Sequence, residues 1–176
     1  KGQPGKEVVL KVQRVGEDKP LEKRVLREVV QVPSVPYYGM LNNEIGYIYF
    51  TGFTDKAADD VRSAIMDLKS KGAQSLVLDL RGNGGGLLDQ AVEIANFFLP
   101  KGSLVGSTKG KMKQWDKEYR TTRNPLLPDM KLAVLIDRAS ASASEILSGS
   151  LQDYDRAVVI GERSFGKGLV QTTRDL

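Results

Sequence analysis

The chain has 176 residues, 40% of them hydrophobic and 27% charged, with 26 Lys and Arg against 22 Asp and Glu for a formal net charge of +4. That composition suits a globular chain with room for one sizeable core, and no apolar run approaches the ~20 residues of a membrane-spanning helix. There is no cysteine and no histidine, which excludes disulfides, thiol nucleophiles, Cys or His zinc sites and a Ser-His-Asp triad within this stretch.

The charge is unevenly placed. Residues 1–34 carry a net +3, leaving +1 for the rest. The stretch 101–124 holds seven basic and two acidic residues. Its lysines alternate with Gly, Met, Gln and Trp, as in a solvated hairpin, so a phosphate-reading surface is not expected and nucleic acid is excluded as a partner. The chain begins at Lys1 rather than Met and reads as a piece of a longer protein, so the lack of a targeting segment carries no information about compartment.

In chain order, Glu7–Val15 is β-branched and partly alternating, and Gly16–Pro20 is a turn, which predicts a hairpin arm. Residues 21–31 place Leu21, Val25 and Val29 at helical spacing, but their valine content favours a strand. Residues 32–39, with two prolines and a glycine, read as a linker, and a domain boundary is expected near residue 35. Beyond it, Ile45–Phe50 predicts a strand. Thr54 is placed to cap a helix running to Lys71, with Ala58, Val61, Ile65 and Leu68 on one face and Gly72 stopping it. The nearly continuous apolar run Ser75–Leu80 predicts a strand buried on both faces. A glycine-rich turn follows at 81–86, then a helix over 88–99 ended by Pro100, and a hairpin over 103–122. Lys131–Ile136 is a second buried strand leading into a helix at about 142–153. Ala157–Gly161 is a third, and Leu169–Arg174 a last one. Strands alternating with helices imply an α/β fold with a largely parallel sheet, whose chemistry belongs at the carboxyl ends of the strands.

Three such ends hold reactive groups. Asp79-Leu80-Arg81-Gly82-Asn83-Gly84-Gly85-Gly86 offers either backbone N–H groups to an anion or simply a tight bend, with Asp79 and Arg81 expected to form a structural ion pair. Ser140-Ala141-Ser142-Ala143-Ser144-Glu145 opens a helix, where a hydroxyl can serve either as an N-cap or as a nucleophile beside free N–H groups. A nucleophilic serine needs a base. Without histidine the candidate is a lysine made neutral by burial. Lys167, flanked by Gly166 and Gly168 and expected to pack near Phe165, is either that base or a solvated loop lysine; a serine and a lysine at neighbouring strand ends can converge, which favours the base.

These motifs, DLRGNGGG, then SASASE, then QDYDRAVVIGERSFGKGLVQ, closely resemble those of the carboxyl-terminal processing peptidases, also called tail-specific proteases, over essentially the whole chain. The resemblance implies the end of a β-rich PDZ domain in 1–34 and most of a crotonase/ClpP-like α/β protease core in 35–176. It implies a serine endopeptidase that acts near protein C-termini without metal or cofactor. Ser142 would be the nucleophile, Lys167 the base and Gln171 its orienting partner. The N–H groups of Ala143 and Gly86, with Gly85 next, would form the oxyanion hole, and Asp153 and Glu145 would give structural support. Partners would be protein or peptide substrates recognised through their C-termini, and the compartment the cell envelope, periplasm or exterior. The front of the PDZ domain and the family's segments after Gln171 lie outside this sequence, so little activity is expected from these residues alone. The competing readings are a protease-like peptide-binding scaffold without activity and an acyl-CoA enzyme on the same fold, for which no acid-base groups are found. The oligomeric state is not encoded in these motifs.

Overall fold

The computed structural model describes residues 2–30 and 32–171, and the chain divides into two units, Lys1–Val32 and Pro33–Leu176. The first unit is the expected hairpin. Strand β1 (Glu7–Val12) pairs antiparallel with β2 (Leu21–Leu26), with Val9 opposite Arg24 and Val12 opposite Leu21. The ambiguous run after residue 20 resolves as strand, because Val25 finds a cross-strand neighbour in Val8.

The second unit carries a five-stranded sheet in the order β3-β4-β5-β8-β9, comprising Tyr37–Met40, Ile45–Tyr49, Ser75–Asp79, Lys131–Ile136 and Val158–Gly161. β3 runs antiparallel at one edge, and every other neighbouring pair is parallel. β3 falls inside the expected linker. Prolines are tolerated beside an edge strand because only one side of it must donate to a neighbour. A separate hairpin of β6 (Leu104–Thr108) and β7 (Lys117–Arg120) occupies the basic stretch.

Helices α1 (Ala57–Ser70), α2 (Leu88–Ala95) and α3 (Ala143–Asp153) supply the other half of the core. On α1, Ala57, Val61, Ala64, Ile65 and Leu68 form one buried stripe, the spacing of an amphipathic helix. Ile48, Leu76, Leu78, Leu132 and Val134 meet these helices as one fully buried sheet face. Tyr47, Tyr49, Val77, Ala133 and Leu135, which alternate with them, are only half-buried. The expectation of strands covered on both faces is therefore corrected: among the described residues the apolar run of β5 is enclosed from one side.

Two helix boundaries also differ from expectation. α1 starts at Ala57 with Lys56 as its N-cap. The Thr54 hydroxyl is engaged at 2.7 Å with the Ser34 hydroxyl and so does not cap the helix. α2 ends at Ala95, after which Phe97 N–H and Phe98 N–H close tighter turns onto the Ile94 and Ala95 carbonyls. Residues 169–171 form no strand, and the rest of the strand expected over 169–174 lies outside the described residues. No helix among the described residues is long and apolar enough to cross a membrane.

Candidate active site

The carboxyl ends of β5 and β8 lie side by side, with Asp79 opposite Leu135. The two loops leaving them are therefore neighbours, and they are bound to each other at several points. The Asp137 carboxylate accepts hydrogen bonds from Gly82 N–H, Ala139 N–H and Ser140 N–H at 3.0, 3.0 and 3.1 Å. These contacts, led by the one from Gly82, hold its carboxyl below the ordinary range. Ala141 N–H donates to the Asn83 carbonyl at 3.0 Å.

The three serines of the turn separate by role. Ser140 is fully buried and its Oγ donates to the Leu80 carbonyl at 2.8 Å. Ser144 is likewise fully buried and donates to the Asn83 carbonyl at 2.9 Å. Alternation along the turn points Ser142 elsewhere. It is half-buried, stands as the N-cap of α3, and has φ 59° and ψ −115°. A positive φ on a non-glycine residue costs about 1–3 kcal/mol and survives only where the surroundings enforce it. Here the enforcement is visible. Ser142 N–H donates to the Glu145 carboxylate at 2.8 Å, and both flanking serines are anchored to the opposite loop.

The glycine loop presses against this turn. Gly85 has φ 97°, and a Cβ there would lie 2.6 Å from the Ala141 carbonyl oxygen and 3.0 Å from Ala143 N. Gly86 has φ 145°, and a Cβ there would overlap the Phe53 carbonyl. Gly86 also forms an isolated parallel bridge with Phe53, in which Phe53 N–H donates to the Gly85 carbonyl and Leu87 N–H donates to the Phe53 carbonyl. That pattern turns the N–H of Gly86 away from Phe53. Gly85 N–H is engaged by the Asn83 side chain at 2.9 Å. Gly86 N–H and Ala143 N–H have no hydrogen-bond acceptor among the described residues.

Ser142, Ala143, Gly85, Gly86, Lys167 and Gln171 all line one cavity of about 740 Å³. The expected site residues are thus brought together. Lys117 and Tyr119 of the basic hairpin line it as well. A smaller recess of about 160 Å³ opens beside Ser142, with Leu88, Tyr119, Ile146 and Leu169 among its walls.

Two expectations need correction. Lys167 is exposed, Phe165 retains 68% of its accessible surface, and no hydrogen bond joins the Lys167 amine to Ser142 among the described residues. Lys167, Leu169, Val170 and Gln171, which follow β9 and line the cavity, are all exposed, so burial does not enclose the amine here. Asp153 also shows no supporting contact. It lies exposed at the far end of α3, with no hydrogen bond or ion pair from its side chain among the described residues.

Glu145 does have the supporting position. Besides Ser142 N–H, its carboxylate accepts from Ser164 Oγ at 2.7 Å, Gly166 N–H at 2.6 Å and Lys167 N–H at 2.9 Å. Burial alone would raise its carboxyl, but these four donors, Ser164 foremost, outweigh that and hold it below the ordinary range. One side chain thus clamps the backbone that carries Lys167 to the turn that carries Ser142. Asp79 and Arg81 form the expected ion pair at 2.6 Å, completed by the Tyr47 hydroxyl at 2.6 Å. They line a different cavity, together with Tyr37 and Tyr49.

The molecule is thus an α/β sheet with a strained serine at one strand end and a lysine on the wall of the same cavity. A solved structure of a photosystem II D1 C-terminal processing protease matches it with a TM-score of 0.73 and 29% identity, covering 99% of this chain and 48% of that one. Residues 44–176 match the model of peptidase family S41, and the chain belongs to that family. It is 42% identical to a carboxy-terminal-processing protease of Bartonella bacilliformis, over 98% of this chain and 40% of that protein. It is 39% identical to a "Probable CtpA-like serine protease" of Staphylococcus epidermidis, over 99% of this chain and 35% of that protein. The chain therefore spans about two fifths of the curated relatives it matches.

Proposed function

We propose that the protein carrying this chain is a serine endopeptidase that cleaves polypeptides near their C-termini, with Ser142 as nucleophile and Lys167 as general base. One observation carries the reading. Of three serines in five residues, two have their hydroxyls tied to backbone carbonyls, and the third stands strained on the cavity that Lys167 also lines. Ser142 is also the N-cap of α3, in a capping box with Glu145, but that role alone does not require the strain.

In this reading Ser142 Oγ attacks the scissile carbonyl while neutral Lys167 takes its proton and then returns it to the leaving amine; water deacylates the enzyme by the same relay. The tetrahedral oxyanion sits between Gly86 N–H and Ala143 N–H. Gly85 N–H, already bonded to Asn83, is set aside from the pair. Gln171 orients the lysine. Glu145 keeps the two halves in register, and Asp153 has no part in the chemistry. The small recess suits a nonpolar side chain next to the cut bond. C-terminal recognition, a PDZ origin for residues 1–34, a crotonase/ClpP-like core and a place in the cell envelope, periplasm or exterior are carried over from the resemblance of the motifs alone.

The exposure of Lys167 favours a second reading, a peptide-binding scaffold that has kept the fold without the reaction. Turnover decides between them. The full-length protein is incubated with an unfolded protein carrying a nonpolar C-terminus, alongside its Ser142→Ala and Lys167→Arg variants. Cleavage by the unsubstituted protein alone is expected. Binding without cleavage by all three would establish the scaffold.

A further inference from the structure

We infer that Asn83 is the positioning residue of the oxyanion site: it sets Gly86 N–H and Ala143 N–H at one spacing, and so governs transition-state binding rather than substrate affinity. The inference rests on the peptidase reading above. Asn83 is fully buried although it is polar; its backbone N–H closes the loop onto the Leu80 carbonyl at 3.1 Å, and its other hydrogen-bonding groups reach three further parts of the site. Its side-chain N–H donates to the Phe50 carbonyl at 2.9 Å, fixing it to the end of β4. Its side-chain oxygen accepts Gly85 N–H at 2.9 Å, which bends the glycine loop and leaves the next N–H, that of Gly86, facing the cavity. Its backbone carbonyl accepts both Ala141 N–H at 3.0 Å and Ser144 Oγ at 2.9 Å, the residues on either side of Ser142 and Ala143. One residue therefore touches both arms of the proposed oxyanion site and neither reacting group.

Aspartate cannot replace it, since a carboxylate accepts the Gly85 N–H but cannot donate to Phe50. Glycine-loop geometry matters because donors must lie where the oxyanion forms, and deleting one such donor lowers kcat by about 10²–10³-fold. Loss of the Asn83 amide releases the Gly86 arm, while the backbone carbonyl that holds the Ala143 arm persists; displacing that one donor is expected to lower kcat by at least about tenfold.

The experiment uses the full-length protein, its Asn83→Ala and Asn83→Asp variants, and Ser144→Ala, which removes one donor from the Asn83 carbonyl while leaving the amide in place. Each is assayed for kcat and KM on a peptide substrate and for affinity toward a peptide boronic acid, whose tetrahedral serine adduct places an oxygen in the oxyanion site. The expected result is a fall in kcat with KM within about threefold, matched by the same fold-loss in boronate affinity. Ser144→Ala should show a smaller loss of the same kind, so the inference remains testable if the Asn83 variants do not fold. Unchanged boronate affinity in folded variants, or a loss confined to KM, overturns it. A Ser142→Ala control separates the two failures: retained cleavage there refutes the nucleophile assignment, whereas a dead Ser142→Ala beside normal Asn83 and Ser144 variants refutes only the positioning role.

Discussion

The serine turn and the lysine segment meet at one cavity but are built in opposite ways. Residues 140–145 are buried or half-buried, fastened to the neighbouring loop by Ser140, Ser144 and Asn83, and strained at Ser142. Residues 164–171 are mostly exposed and have no regular secondary structure; their ties are Phe165 N–H to the Ser140 carbonyl at 3.0 Å and the bonds to Glu145. The proposed nucleophile is preorganised by the core, while the proposed base is carried by a chain held at few points. Such a division puts rigidity where charge must be stabilised and adaptability where a substrate must enter.

The largest expected effect removes the base from the exposed half. Lys167→Arg should lower kcat/KM by about 10⁴-fold or more, since a guanidinium stays protonated and cannot accept the serine proton. Because the side chain is exposed, Tm should move by less than about 2 °C, the shift of a surface substitution. Retained activity in a folded Lys167→Arg would break the comparison at its root.

Next is the clamp between the halves. Glu145→Gln keeps one acceptor oxygen but turns the other into an N–H that opposes the donors around it. A loss in kcat/KM of about 10²-fold is expected, with the larger share in kcat, because the misplaced groups are needed in the transition state. The same variant tests the carboxyl's titration. Its folded-state value lies below its unfolded one. Its contribution to stability is therefore full above the ordinary carboxylate value of ~4.3 and is lost as pH falls through the folded value. Thermal melts from pH 7 to 3 should accordingly fall less steeply for Glu145→Gln than for the unsubstituted protein. Parallel curves would remove Glu145 from the account.

Smaller still is the removal of a buried tie from the rigid half. Ser140→Ala removes one of the two donors to the Leu80 carbonyl and the acceptor of Asp137 N–H, which should cost about 1–3 kcal/mol of stability, with kcat/KM reduced several-fold. Ser164→Ala, which deletes one of the donors to Glu145 in the loose half, should leave Tm unchanged and reduce kcat/KM by about two- to fivefold. If Ser164→Ala destabilised the fold more than Ser140→Ala, the assignment of rigid and loose halves would be reversed.

The same contrast explains why some elements are legible in the amino-acid sequence and others are not. The strands β5 and β8 and the helix α3 are plain because apolar periodicity is set by burial, and burial there is strong. The serine turn is legible as a strand-to-helix turn, but its small residues leave both a capping and a nucleophilic role open. The edge strand β3 is hidden by Pro36 and Gly39, since a strand paired on one side needs few of the usual signals. Thr54 has the local pattern of a cap, yet the partner of its hydroxyl is Ser34, twenty residues earlier. No local pattern encodes such a contact. Gly85 and Gly86 are alike as residues, and the Asn83 bond to one and the Phe53 bridge of the other separate them, although an Asn two residues before a glycine is a known turn signal. Burial is expected of Lys167 because its chemistry requires a neutral amine. Chemical need does not specify which atoms provide the cover.

The central claim, a Ser142 nucleophile activated by Lys167, is most directly tested by covalent trapping. The full-length protein is treated with a fluorophosphonate, digested and read by mass spectrometry, in parallel with Lys167→Arg. A single adduct on Ser142, lost in Lys167→Arg, is the result expected from the geometry. An adduct on Ser140 or Ser144, or labelling of Ser142 undiminished by Lys167→Arg, would contradict it.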